Sequence, residues 1–150
     1  MARTFIASDS RSGRREIIVE VRPDLHDGAG QYDIEKFERR LNDRHIHAGL
    51  LVTPKTAYFL RDTLVSLAFS PGSYEVRKLP TETLFSRING GGVAPGEGLY
   101  AQVKLWLDAV AGSWSTFVPD EALPFMLPEM IGGLAESNLE EWDDVLDAED

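Results

Sequence analysis

Glu20 and Arg22 lie two residues apart at the polar end of the run Glu16-Ile17-Ile18-Val19-Glu20-Val21-Arg22-Pro23-Asp24. In an extended strand alternate side chains share a face, so Glu16, Ile18, Glu20 and Arg22 point one way and Ile17, Val19 and Val21 the other. The carboxylate and the guanidinium are therefore neighbours in space. A carboxylate at a strand end can hold a divalent cation, and a base beside it can help activate a bound water. Arginine changes that chemistry. Its pKa lies above about 12, so it cannot take a proton from water, although it can stabilise charge on a phosphate. His26, with Asp24 and Asp27 in the following loop, reads as a general base or as ordinary loop polarity. His45 and His47 alternate at a strand start, but catalytic zinc takes three protein ligands and these two read as turn residues. There is no Gly-X-Ser-X-Gly elbow, and no Lys-Ser or Lys-Thr pair follows the glycine-rich stretch from Asn89 to Gly98. Trp106, Trp114 and Trp142 read as core or docking anchors.

The elements that position these residues follow from pattern and punctuation. Thr4 to Ser8 reads as a strand, joined through the turn-forming Asp9-Ser10-Arg11-Ser12-Gly13 to the strand from Glu16 to Arg22. Pro23 closes that strand and residues 24–30 form a loop. Asp33 is the expected N-cap of a helix from Ile34 to about Arg44, with Tyr32 packing on Phe37 as a staple. Ile34, Phe37 and Leu41 make a narrow apolar stripe, and Glu35, Lys36, Glu38, Arg39 and Arg40 are expected to face solvent. Ala48 to Thr53 reads as a strand buried on both faces, Pro54-Lys55 as a turn, and Ala57 to Asp62 as the returning strand. Tyr74 to Leu79 follows as a strand, and Thr81 is placed to cap a short helix through Ile88. A helix from Leu99 to about Ala111 presents Leu99, Val103, Leu107 and Val110 on one face and stops at Gly112. Pro119, Pro124 and Pro128 exclude a long helix at the end. A short acidic helix from Leu139 to Leu146 is expected, capped by Asn138 and Glu141.

The 150 residues suit one domain with a real core, and no apolar run approaches the roughly 20 residues that span a bilayer. The start of the chain lacks a secretory pattern, so a cytoplasmic location is expected. There is no cysteine, so any metal would be held by carboxylates or by His26, His45 and His47. The net charge of −10 is unevenly spread: residues 1–119 sum to +1, whereas 120–150 carry 11 acids and no base. This divides the chain into a core, 1–119, and a proline-containing acidic extension, 120–150, expected to pack on it. Such an extension solubilises, offers a surface to a basic partner, or shields a basic groove. Arg11, Arg14 and Arg15, and Arg39, Arg40 and Arg44, form two basic clusters that give nucleic acid a modest footing against the overall negative field.

A strand ending in an acid and a base, an amphipathic helix over Gln31 to Arg44, the strand Leu50-Leu51-Val52-Thr53, and a strand ending Phe59-Leu60-Arg61-Asp62: this order resembles the PD-(D/E)XK nuclease superfamily. It looks most like the stand-alone restriction-endonuclease-like proteins and the nuclease domains of type I restriction subunits, over residues 4–110. The resemblance implies an α/β fold, with a restriction-endonuclease-like mixed sheet flanked by helices and followed by the acidic C-terminal helix. It also implies that Asp9 and Glu20 stand for the two metal carboxylates, that Arg22 replaces the family's lysine, and that Gln31 occupies the place of a supporting glutamine. The helix that usually precedes this core is expected to be missing. With Arg22 in the lysine position, the expectation is a degenerate, non-catalytic domain that serves as an accessory or protein-interaction module without a cofactor, with room for a homodimer. The alternatives are a Mg²⁺-dependent nuclease using Asp9 and Glu20 as ligands, and an acidic inhibitor or nucleic-acid mimic.

Overall fold

The computed structural model describes residues 3–8, 15–44, 46, 48–62, 74–90, 92–112, 114–121 and 139–142. They form an α/β structure around a six-stranded mixed sheet. The elements run β1 (Arg3–Ser8), β2 (Arg15–Val21), α1 (Gln31–Asp43), β3 (Ala48–Val52), β4 (Thr56–Asp62), β5 (Tyr74–Pro80), α2 (Thr81–Leu84), α3 (Ser86–Asn89), α4 (Glu97–Gly112), α5 (Trp114–Phe117) and β6 (Leu139–Trp142). The strand order is β5-β4-β3-β2-β1-β6. Every neighbouring pair is antiparallel except β2 and β3, which α1 joins as a parallel crossover.

Alternation along β2 explains the layering. Ile17, Val19 and Val21 face one core with Leu50, Val52, Phe59 and the α4 residues Leu99, Val103, Trp106, Leu107 and Val110. Ile18 faces a second core with Leu51, Tyr58, Leu60, Tyr74 and the α1 residues Phe37 and Leu41. All five residues of β3 are buried, because helices cover both of its faces. On β4 and β5, Arg61 pairs with Glu75 at 2.8 Å, and the Lys78 ammonium lies 6.0 Å from the centre of the Tyr58 ring. Trp106 donates its indole N–H to the Phe117 carbonyl at 3.1 Å, which holds α5 to α4. Residues 116–121 are tied back to the body by Arg87, which donates to the Thr116 carbonyl, and by Arg77, which donates to that of Glu121.

Several local expectations change. Helix α1 begins three residues early, with Gly30 as N-cap, because Asp33 acts from the third helical position: its carboxylate accepts the Gly30 N–H at 3.0 Å. Tyr32 is 75% exposed and is not a staple. Thr81 is buried and donates to the Thr53 carbonyl at 2.7 Å instead of capping, and the expected helix through Ile88 is two short turns, α2 and α3. Leu139–Trp142, expected to open an acidic helix, is the strand β6, drawn into the sheet by the exposed ladder of β1. Residues 143–146 of that expected helix lie outside the described residues. Among the described residues no helix is long and apolar enough to cross a membrane.

Gly49 sets how closely α1 lies on the sheet. A Cβ there would stand 2.8 Å from Leu41 Cδ1 and 2.9 Å from the Phe37 ring, both in the buried second core. Gly49→Ala is therefore expected to lower stability by about 1–3 kcal/mol through overpacking, read as a fall in the urea midpoint without a change in slope.

Candidate functional site

The parallel pair β2 and β3 ends beside the β2–α1 loop and the β3–β4 turn, the crevice where open α/β sheets place ligands. Arg22 continues the ladder by donating its N–H to the Val52 carbonyl at 2.8 Å, and two successive turns carry the chain through Leu25 to Gly28. Gly28 has φ +97°, and a Cβ there would meet the Tyr58 hydroxyl at 2.6 Å. That hydroxyl accepts the Ala29 N–H at 2.8 Å, so β4 pins the loop.

Glu20 is at the centre of this region and is 5% exposed. It lies on the α1 side of β2, as the alternation with Ile18 requires. Arg40 of α1 donates Nη1–H to Glu20 Oε1, forming an ion pair. Arg22 Nη1 stands 3.6 Å from Glu20 Oε2. The same guanidinium forks onto Asp24, donating from Nε to Oδ1 at 3.1 Å and from Nη2 to Oδ2 at 2.9 Å. The result is an alternating chain of charges, Arg40, Glu20, Arg22, Asp24, that links helix, strand and loop. The Arg22 hydrogen bonds hold the Asp24 carboxyl below the usual aspartate range, against a smaller opposing effect of burial.

Of the residues singled out in the sequence, Glu20 and Arg22 are brought together. Gln31 opens α1, but its amide donates to Glu35 Oε1 at 3.1 Å, one turn along the helix. Asp9, His45 and His47 lie outside the described residues. Ser8 pairs with Arg15, five positions from Glu20 along β2, which is about 16 Å at roughly 3.3 Å per residue. His26 is exposed and lines an open cleft of about 360 Å³ with Pro54, Lys55, Glu82 and Val93. Among the described residues no three His, Asp or Glu side chains are grouped as a metal site would need.

Two α1 residues expected in solvent turn toward the sheet instead. Glu38 is 2% exposed, and it completes the i, i+3, i+4, i+7 face of Ile34, Phe37 and Leu41, a spacing that marks it as inward. Arg40 flanks that face, and its long stem lets the guanidinium reach Glu20 while the helix buries its apolar stripe. A carboxylate near the end of a buried strand was the signal that such a partner must exist.

The α/β fold with one parallel crossover and, at its end, a charge chain built on the buried Glu20 is the class this structure defines. No family profile, no curated protein and no solved structure matches the chain.

Two outcomes follow from the charge chain. Arg40→Ala leaves the buried Glu20 with Arg22 alone and is expected to cost about 3 kcal/mol in urea unfolding. For Asp24, whose folded pKa is depressed, the stability contributed by the Arg22 bond is complete above the ordinary aspartate value, about 4, and is lost as pH falls through the lower folded value. The urea midpoints of wild type and Asp24→Asn should therefore differ at pH 7 and converge in acid.

Proposed function

We propose that this chain is a non-catalytic α/β module with a restriction-endonuclease-like core, and that it acts by binding a protein partner. The observation that carries this reading is that both carboxylate oxygens of Glu20 are met by guanidinium groups, Oε1 by Arg40 and Oε2 by Arg22. A metal ion at Glu20, itself 5% exposed, would have to displace Arg40 and sit beside the charge of Arg22. Like charges at such distances repel strongly where water is excluded. Arg22 is itself forked onto Asp24, so its geometry serves the loop, and its chemistry does not supply a base. The crossover β2–α1–β3, with acid and base at the end of β2, supports the restriction-endonuclease-like architecture. The contrast between a core near neutrality and an extension with 11 acids and no base supports a role in contacting a partner.

The test is a calorimetric titration with MgCl₂ beside a cleavage assay on single- and double-stranded DNA, using wild type and Glu20→Gln. The expected result is no saturable Mg²⁺ heat and no cleavage by wild type above the variant. Mg²⁺-dependent cleavage that disappears in Glu20→Gln would overturn the reading.

A further inference from the structure

We infer that the outer edge of β1 is a docking site for an extended segment of a partner protein, and that β6 holds this site in cis. The inference deepens the partner-binding reading above and rests on it for its purpose, while its geometry is independent of Glu20.

Strand β6 is four residues long, Leu139–Trp142, and lies antiparallel to β1 with Ala7 opposite Leu139, Ile6 opposite Glu140, Phe5 opposite Glu141 and Thr4 opposite Trp142. It ends the sheet, so β1 is its one strand neighbour among the described residues. The inner strands are held differently: β2, β3 and β4 each pair on two sides and are buried against helices on both faces. Residues 122–138 separate β6 from Glu121, enough chain to span about 55 Å when extended. A four-residue ladder with a single neighbouring strand among the described residues has the fewest main-chain bonds to give up on exchange.

An edge of this kind recognises main chain first and side-chain chemistry second, as in strand addition by a peptide. The segment seated on β1 therefore describes the partner that could replace it. Leu139-Glu140-Glu141-Trp142 is an apolar residue, two acids and an aromatic residue, and the sequence continues with Asp143 and Asp144. The pairing of Trp142 with Thr4 stops one residue short of Arg3, the base at the start of β1. The partner segment is accordingly extended, short, apolar at both ends and acidic between and beyond. Because β6 is covalently attached, its high local concentration makes it a competitor that such a partner must displace.

The probe is a fluorescein-labelled synthetic peptide of residues 137–145 of this chain. In the full-length double variant Glu140→Pro/Glu141→Pro, β6 loses whichever of these two N–H groups faces β1, and the two rings fix φ away from the strand value. Fluorescence anisotropy is expected to show the peptide binding this variant at least tenfold more tightly than wild type, with a scrambled peptide failing to bind either. Equal affinity for both proteins, or no binding to a proline variant whose circular dichroism and urea midpoint match wild type, would overturn the inference. Should the proline variant not fold, cross-linking replaces it, because the chain has no cysteine of its own. Opposed Cα atoms in an antiparallel pair stand about 4.5–5.5 Å apart, within disulfide range. An excess of peptide whose cysteine at the Glu140 position is activated as the mixed disulfide with 5-thio-2-nitrobenzoate should then exchange with Ile6→Cys, releasing thionitrobenzoate, at least tenfold faster than with Leu105→Cys on the exposed surface of α4, and equal rates would refute the site. Neither readout involves Mg²⁺ or Glu20, so failure here is distinguishable from failure of the non-catalytic reading.

Discussion

Burying a carboxylate on an inner strand demands positive charge nearby, and in this protein that demand falls on Glu20. Transfer of an isolated carboxylate from water to a low-dielectric interior costs several kcal/mol even after relaxation, so the strand can keep Glu20 inward only if guanidinium groups follow it. Arg40 arrives from α1 and Arg22 from the same strand. Helix α1 is thus held to the sheet by a charge contact at one place and by Phe37 and Leu41 packed over Gly49 at another. These two contacts define where the crossover between β2 and β3 can lie. Arg22 passes the constraint on to Asp24, and so the loop that follows β2 is fixed by the same chain of charges.

The same arrangement separates architecture from chemistry. An acid and a base at the end of a parallel strand are well placed for catalysis, and the crevice beside them has the location expected of a ligand site. Yet each charged group of the cluster already has a protein counter-charge, and the pairing crosses three elements. Groups committed in this way stabilise one arrangement of helix, strand and loop. A cation at Glu20 would have to compete with these guanidinium groups for its carboxylate. The apolar contacts of the fold run through the two cores on either side of β2, β3 and β4.

Much of this fold was legible in the sequence where pattern and physics coincide. The period-two alternation of β2, the continuous apolar run of β3, the Pro54-Lys55 turn and the stripe of α4 all lie where their spacing puts them. The proximity of Glu20 and Arg22 followed from alternation alone. The partner of Glu20 did not, because Arg40 sits at the flank of its helix face, and only the depth of Glu20 in the sheet forces the guanidinium inward. The start of α1 was misplaced because Asp33 can cap from two positions, and Gly30 with its extended backbone leaves the choice to the loop. At Leu139 local helix signals yielded to the open ladder of β1, a long-range pairing that no short window records.

The placement of α1 on the sheet depends on Glu20 and Arg40 acting as a pair. A double-mutant cycle of Glu20→Gln and Arg40→Gln, followed by urea unfolding at pH 7, measures this directly. The expected coupling energy is about 1–3 kcal/mol, with the double variant less destabilised than the sum of the singles. Additivity within about 0.5 kcal/mol, together with a rise in wild-type stability on adding Mg²⁺, would contradict it.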